Sequence, residues 1–353
     1  MNNGKNLGDL LTALKAKAFD NRDYVVPENR FKAMAVGEGS NQKLVFDVPG
    51  HGFFSPTDHA TQQVGAHYGI PARYVRKLES SPELLADNIN HWRALSEGTR
   101  LFRVNRNDLR AFLSDRYKII DHLPVLTAAL EGVHDTKAVP LASDVTETRM
   151  YLKFLFPEIK GEVRPGDTVS PGVCITNSEI GGGSFRVKGF FFRDFCTNGC
   201  VFGSGDLVEE VSRRHLGSKM STGLVVRSAA TDAAESELMA SQTRDILQAV
   251  SDEKIFGKML ERLQATTTTG DIQNPEKAVE VVAERFGLSE AERAEALVNL
   301  IQDRDYTQYG VTNAITKIAN NTESQDRVFE LENVGAQLLD LSMRQFETIR
   351  VAA

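Results

Sequence analysis

Tryptophan and cysteine are scarce in this chain, with one Trp and three Cys in 353 residues. Cys174, Cys196 and Cys200 are an odd set in a long chain, which excludes a disulfide framework of the kind that staples small secreted domains. The CxxxC spacing of Cys196 and Cys200, with His215 downstream, is a weak metal cue without a second ligand pair. Buried or strand-lining thiols are expected instead, with no metal and no cofactor. Long apolar runs are also missing. No stretch approaches the roughly 20 residues that a membrane-spanning helix needs. The N-terminal MNNGKNLGDLLTALKAKAF lacks the basic-then-apolar order of a secretory signal, so a cytoplasmic protein without a membrane partner is expected. Catalytic signatures are lacking too: there is no HExxH, no paired-acid pattern and no Walker loop, and the GGG at 181–183 is not followed by Gly-Lys.

An excess of positive charge is missing as well. The net charge of −7 argues at first against a polyanionic partner, but its distribution softens that objection. From Ser228 to the end there are 12 Lys and Arg against 22 Asp and Glu, whereas Met1 to Arg227 has 29 against 26. An acidic tail follows a mildly basic body, and it is the local field that steers a charged ligand. The length allows one large core or two ordinary ones.

What is present centres on Gly181–Gly203, GGGSFRVKGFFFRDFCTNGCVFG. The glycines suit a turn, and the Phe- and Val-rich run that follows reads as a strand. Period two puts Phe185, Val187, Gly189, Phe191 and Arg193 on one face and Arg186, Lys188, Phe190 and Phe192 on the other. With aromatics on both faces, the strand is either sandwiched within the protein or offers Phe190, Phe192 and its cations to a ligand. Flat rings for bases and cations for phosphates are what a single-stranded nucleic-acid platform needs. The second informative stretch is Gly98–Lys118, where Arg100, Arg103, Arg106, Arg110, Arg116 and Lys118 face only Asp108 and Asp115. It predicts two strands around a tight turn, Phe102 and Val104 sharing a face opposite Leu101 and Arg103, and then a helix. Arg213, Arg214, His215 and Lys219 form a third short basic segment, a strand edge or a loop over a groove.

The remaining elements follow from periodicity and caps. Leu7–Phe19 predicts an amphipathic helix, and the pieces FKAMAV and KLVFDV predict a hairpin. Three helical pieces lie between residues 55 and 95, with Thr57 and Ser81 as N-caps and Trp92 expected in the core. Val139–Phe156 gives two strands, and VSPGVCITNSEI a further one. Beyond Arg227 the chain turns helical. Leu238, Ile246, Leu247, Val250, Ile255, Met259, Leu260 and Leu263 form an apolar stripe, Asn274 and Ser289 cap later helices, and a last helix spans 325–346. The fold class expected is α+β: a curved, mostly antiparallel sheet with packed helices over 1–227, then an acidic helical region over 228–353 that packs on it or mediates oligomerisation.

GIPARYVRKL (69–78), LRAFLSDRY (109–117), CTNGCVFG (196–203), RRHLG (213–217) and YGVTNAITK (309–317) resemble, in this order, the phage and plasmid proteins grouped as domain of unknown function 932. The resemblance covers roughly residues 60–345. It implies a mobile-element origin and no particular activity. At the level of fold, β-β-α and β-β units with basic and aromatic strands are similar to the single-strand annealing proteins related to Rad52 and RecT, an analogy only. Together these lead to the expectation of a non-enzymatic protein that binds single-stranded DNA, and anneals it, in phage or plasmid recombination. Arg100, Arg103, Arg106, Lys188, Arg193, Arg213 and Arg214 would neutralise phosphates, and Phe190 and Phe192 would stack on bases. Protomers side by side in a ring or filament would line the groove, with host or phage recombination proteins as further partners. Two rival classes are an interaction protein, anti-restriction or regulatory, whose acidic helices dock on a host protein, and a metal-dependent nuclease using Asp115, Asp121, His122 or Asp194.

Overall fold

The computed structural model describes residues 6–134, 136–193, 199–201, 211–213, 223–224 and 229–352. In chain order the first half runs α1 (Leu7–Phe19), β1 (Asn21–Pro27), β2 (Lys32–Val36), β3 (Lys43–Val48), β4 (Gly52–Pro56), α2 (Asp58–His67), α3 (Ala72–Leu78), α4 (Pro82–Ala94), β5 (Thr99–Asn105), β6 (Asp108–Ser114) and α5 (His122–His134). The middle is β7 (Val139–Val145), β8 (Met150–Leu155), β9 (Gly161–Arg164), β10 (Asp167–Asn177), β11 (Phe185–Arg193), β12 (Gly199–Val201), β13 (Val211–Arg213) and β14 (Gly223–Leu224). The helical remainder is α6 (Ala229–Ser251), α7 (Glu253–Thr266), α8 (Pro275–Phe286), α9 (Glu290–Asp303), α10 (Gln308–Ile318), α11 (Gln325–Leu339) and α12 (Met343–Arg350).

The strands form two sheets rather than the single one expected. The first is ordered β14-β1-β5-β6-β4-β3-β2, and only its β4–β6 pair is parallel. Along β5 the alternation is as the sequence predicts. Phe102 and Val104 enter a core with Phe31, Phe46, Val64, Leu85 and Phe112 under α2–α4, while Leu101 packs on the other side with Val25, Leu113, Ile119 and Ile180.

The second sheet is ordered β12-β11-β10-β8-β7, with β13 on β11 and β9 on β10, and every pairing is antiparallel. Both of its faces are covered. Leu152, Phe154, Val173, Ile175, Phe185 and Val187 meet α5 and α6 on one side, and further along that side Phe191 meets Phe256 and Met259 of α7. Tyr151, Leu155, Cys174, Phe190 and Phe192 face Phe329 of α11 on the other. Burial on both sides is why these strands read as continuous apolar runs rather than as alternation.

Caps set most helix limits. Thr57, Asn274 and Ser289 accept the N–H groups predicted for them, whereas Ser81 precedes α4 without a side-chain bond. The apolar stripe expected over 229–264 is two helices, because Asp252 accepts the N–H groups of Lys254 and Ile255 and starts α7 afresh; its outermost member, Leu238, is exposed. The last predicted helix also divides, since Ser342 and Gln345 form a capping box that begins α12. Helices α8–α12 share a core of their own around Val282, Leu300, Ile315, Leu331 and Phe346. Among the described residues no helix is long and apolar enough to cross a membrane.

Candidate functional site

Two of the basic hairpin's arginines, Arg103 and Arg110, are buried, whereas Arg106 at its turn is exposed. Arg103 is fully buried, with 0% exposure. It donates to Asp121, and its Nε lies 3.8 Å from Asp23 Oδ1. Beside it, Arg110 donates to Glu179 Oε2 at 2.8 Å and the His122 N–H donates to Glu179 Oε1 at 2.9 Å. Removing a guanidinium from water costs several kcal/mol, so it survives inside only where carboxylates surround it. The same region ties the two sheets together. At the end of β10, Asn177 donates to Ile120 O at 2.9 Å, Tyr117 donates to Ser178 O at 3.0 Å and Gln63 donates to Ile180 O at 2.7 Å.

Burial pushes the Asp23 carboxyl up to about 6 despite Arg103, and it pushes His122 down to about 4. Burial would also raise Glu179, but the neighbouring cations and the His122 N–H hold it well below the usual carboxylate range. Four polar atoms of this junction lack a hydrogen bond among the described residues: Asp23 Oδ1, Arg103 Nε and Nη1, and Asn177 Oδ1.

The other predicted contacts are dispersed. Arg100 donates to Glu28 Oε1 at 3.0 Å, a buried carboxylate that also accepts from Tyr68 at 2.8 Å. Arg106, at the β5–β6 turn, donates to Asp20 at 2.7 Å. Arg193 donates to Asp167 at 2.5 Å, and Tyr309 shares that carboxylate at 2.9 Å. Lys188 is half-buried on β11. Phe190 and Phe192 are buried under α11, so neither ring lies open for a base to stack on. Arg213 falls on β13, but its side chain lies outside the described residues, as do Arg214, His215, Cys196 and Asp194. Among the described residues the expected single channel does not form: Arg100, Arg103, Arg106 and Arg193 meet separate carboxylates on separate elements, and Phe190 and Phe192 belong to a core. The acids considered for a nuclease are engaged likewise, Asp121 by Arg103 and Asp115 by the Thr99 hydroxyl. Among the described residues no three metal-ligating side chains are grouped to hold an ion.

Exposed cations with aromatics lie elsewhere, on α3 and α4. Only Val75 and Leu78 of α3 are buried, at i and i+3, so Arg73, Tyr74, Arg76 and Lys77 all face solvent. None of the three cations pairs with a carboxylate among the described residues, and Glu79 is the one acid that follows closely. Tyr74 is 40% exposed. Helix α4 packs on α3 and on β2, and it carries Trp92, which is 45% exposed rather than in the core. The reason is the helix's own stripe: Leu85, Ala86 and Ile89 fill the interface, and Trp92 falls to the side of it with Leu84 and Leu95. Exposed Arg30 and Lys32 lie on the segment that α4 packs against.

A cleft of about 320 Å³ opens on the second sheet, between β7, β8 and β11 on one side and the α10–α11 connection with α11 on the other. Phe190 and Phe192 form its floor, Leu141 and Ala142 one wall, Val328 and Glu332 the opposite wall, and the polar segment around Asn321 and Glu323 its rim. Gly172 fixes the floor: a Cβ there would lie 2.5 Å from the Phe190 ring and 2.4 Å from Phe154 O, so only glycine lets that ring lie down across β10. Lys153, half-buried on β8, donates to Glu332 Oε1 at 2.5 Å, while Glu332 Oε2 has no partner among the described residues.

Residues 111–344 match the family described as Domain of unknown function (DUF932). The chain belongs to that family. No curated protein and no solved structure matches it. The DUF932 match takes in AFLSDRY, the glycine turn, the cleft and YGVTNAITK, whereas GIPARYVRKL precedes it. Within the DUF932 region lie the cleft and one side of the charged junction, Asp121, His122, Asn177 and Glu179, whereas Asp23, Arg103, Arg110, α3 and α4 belong to the part of this chain outside it.

Sequence reasoning missed two things here. Glu28, Asp23, Asp121 and Glu179 come from outside the Gly98–Lys118 window, which is why counting charges inside that window left its arginines unmatched. The exposure of α3 was legible, since RYVRKL has only two apolar positions at helical spacing.

Proposed function

We propose that this DUF932 protein binds single-stranded DNA, the property that annealing in a mobile element requires, through α3 and the exposed edge of α4. The observation that carries this reading is Arg73, Arg76 and Lys77 on one exposed helix with the half-exposed Tyr74, none of the cations meeting a carboxylate among the described residues, and the half-exposed Trp92 on the adjoining α4. Cations neutralise phosphates, and each base stacked on an aromatic contributes about 1–3 kcal/mol without sequence preference. The helix rises 1.5 Å per residue, so its three cations are spaced within the reach of successive phosphates on one flexible strand. The acidic C-terminal region does not oppose this, because screening confines its field to about 10 Å at ordinary ionic strength.

Trp92 is the sole tryptophan, so the test needs no label. Titration of the protein with an oligothymidylate is expected to quench its fluorescence, with an affinity that falls as salt rises. For three phosphate contacts on a single strand, log affinity falls against log salt with a slope of about −2. Absence of quenching and of any binding at low salt overturns the reading and leaves a protein partner ahead.

A further inference from the structure

Helix α9 packs on α8 and α10, and its Ala296 and Leu300 enter the core that α8–α12 share. Its opposite face is uncovered. Ala291, Ala294, Val298 and Ile301 are all exposed there, the last two at 51% each. Their spacing of three, four and three residues sets them in one line, the a and d positions of a coiled-coil seam rather than the broader stripe of a helix laid on a core. The order of sizes along that line and the charges at its ends indicate what covers it. Small residues stand at the N-terminal end and large ones at the C-terminal end. A second copy of α9 laid antiparallel sets Ala291 against Ile301 and Ala294 against Val298, small into large along the whole seam, whereas a parallel copy sets Ile301 on Ile301 and Ala291 on Ala291. Glu290, Leu297 and Arg304 repeat every seven residues along one flank. Glu290 and Arg304 are exposed and meet no opposite charge among the described residues. Antiparallel pairing brings each Glu290 beside Arg304 of the second copy, puts Leu297 beside its own copy, and opposes the two helix dipoles. The one like-charged approach is Glu295 toward its own copy on the other flank, and there the Asn321 amide donates to Glu295 Oε1 at 2.7 Å.

We propose that α9 pairs with α9 of a second copy of this chain, antiparallel about a two-fold axis near Leu297, to make a closed dimer. A helix of 14 residues is about 21 Å long, so the seam is at the small end of protein interfaces and the dimer is reversible and depends on concentration. The same patch serves both copies, so this contact ends at two and by itself builds neither a ring nor a filament. It uses no residue of α3 or α4 and forms without DNA, so it stands or falls apart from the DNA-binding reading.

The test is sedimentation equilibrium of the full-length protein without nucleic acid. A monomer–dimer equilibrium is expected, with nothing larger. Ile301→Asp puts an uncompensated charge into the seam and is expected to weaken association at least about tenfold. Glu290→Arg and Arg304→Glu each set like charges together at both ends of the seam, and each is expected to weaken association about fivefold at low salt. The double variant restores it, because the pairs form again with their signs exchanged. All three positions are exposed, so thermal unfolding of the dilute variants is expected to stay near that of the wild type, which separates lost pairing from lost folding. A protein that stays monomeric at every concentration overturns the proposal. So does a dimer indifferent to Ile301→Asp, a single-charge effect that the double variant does not reverse, or growth beyond two copies.

Discussion

The β5–β6 hairpin and helix α3 are both short, arginine-rich segments, and they have opposite fates. On the hairpin, Arg100, Arg103, Arg106 and Arg110 each meet a carboxylate from another part of the chain: Glu28, Asp121 with Asp23, Asp20 and Glu179. On α3, Arg73, Arg76 and Lys77 meet none among the described residues. The difference comes from what each segment packs into. A strand in the middle of a sheet has two covered faces, so its cations must be neutralised internally. A helix with two buried positions has most of its circumference in water, where cations need no partner. Local charge density therefore reports binding capacity only after long-range pairing is known.

The widest separation between the two regions is in stability. Arg103→Met leaves Asp23 and Asp121 facing each other without a cation, and removing one member of a buried pair costs about 3–5 kcal/mol. Urea unfolding is expected to register that loss. Changing Arg73, Arg76 and Lys77 together to Glu is expected to stay within about 0.5 kcal/mol per site, as exposed substitutions do. A mild effect of Arg103→Met would mean that the hairpin cation is not holding the junction together.

The next effect is a pH dependence that the junction hides. The folded state holds Asp23 near 6 instead of 3.8, so its contribution is full below 3.8 and is lost as pH rises through 6. His122 is held near 4 instead of 6.5, so charging it costs stability as pH falls from 6.5 toward 4. Each shift is worth about 3 kcal/mol, and across pH 4–6 their slopes have opposite signs. In the wild-type protein these two contributions should largely offset each other over that window. In Asp23→Asn the falling contribution is gone, and stability should climb by about 3 kcal/mol as pH rises from 4 to 6.5. A flat profile in that variant would show that His122 titrates normally.

Helix α3 is expected to answer in salt dependence rather than stability. With Arg73, Arg76 and Lys77 reversed to Glu, the slope of log affinity for an oligothymidylate against log salt should lose about 2. Reversing Arg106 alone should leave that slope unchanged. The opposite pattern would return the hairpin to the nucleic-acid surface.

How much of this could be read beforehand divides along the same line. Local signals served well: Leu7–Phe19, the β2–β3 and β5–β6 hairpins, the face alternation of β5 and β11, and the caps at Thr57, Asn274 and Ser289 all depend on residues within a few positions of one another. Two things did not show. The edge of the first sheet is completed by β14 joining β1 across some two hundred residues, and the burial of Phe190 and Phe192 depends on α11 arriving from far along the chain. Trp92 went astray for a smaller reason: tryptophan is usually buried, but its position on α4 lies just outside the Leu85–Ile89 stripe.

Arg106 supplies the smallest and most discriminating effect. It is a non-glycine residue at φ 53°, and it makes an exposed pair with Asp20. The left-handed conformation costs an L-residue about 1 kcal/mol or more, which glycine does not incur. The exposed pair is worth about 0–1 kcal/mol. Arg106→Gly should therefore be neutral or stabilising by up to about 1 kcal/mol, in contrast to the loss at Arg103 three residues away, and its DNA affinity should match the wild type. If chemical denaturation instead shows a loss approaching that of Arg103→Met, the Asp20 pair is part of the buried junction after all, and the boundary between hidden and solvent-facing arginines on this hairpin moves by one turn.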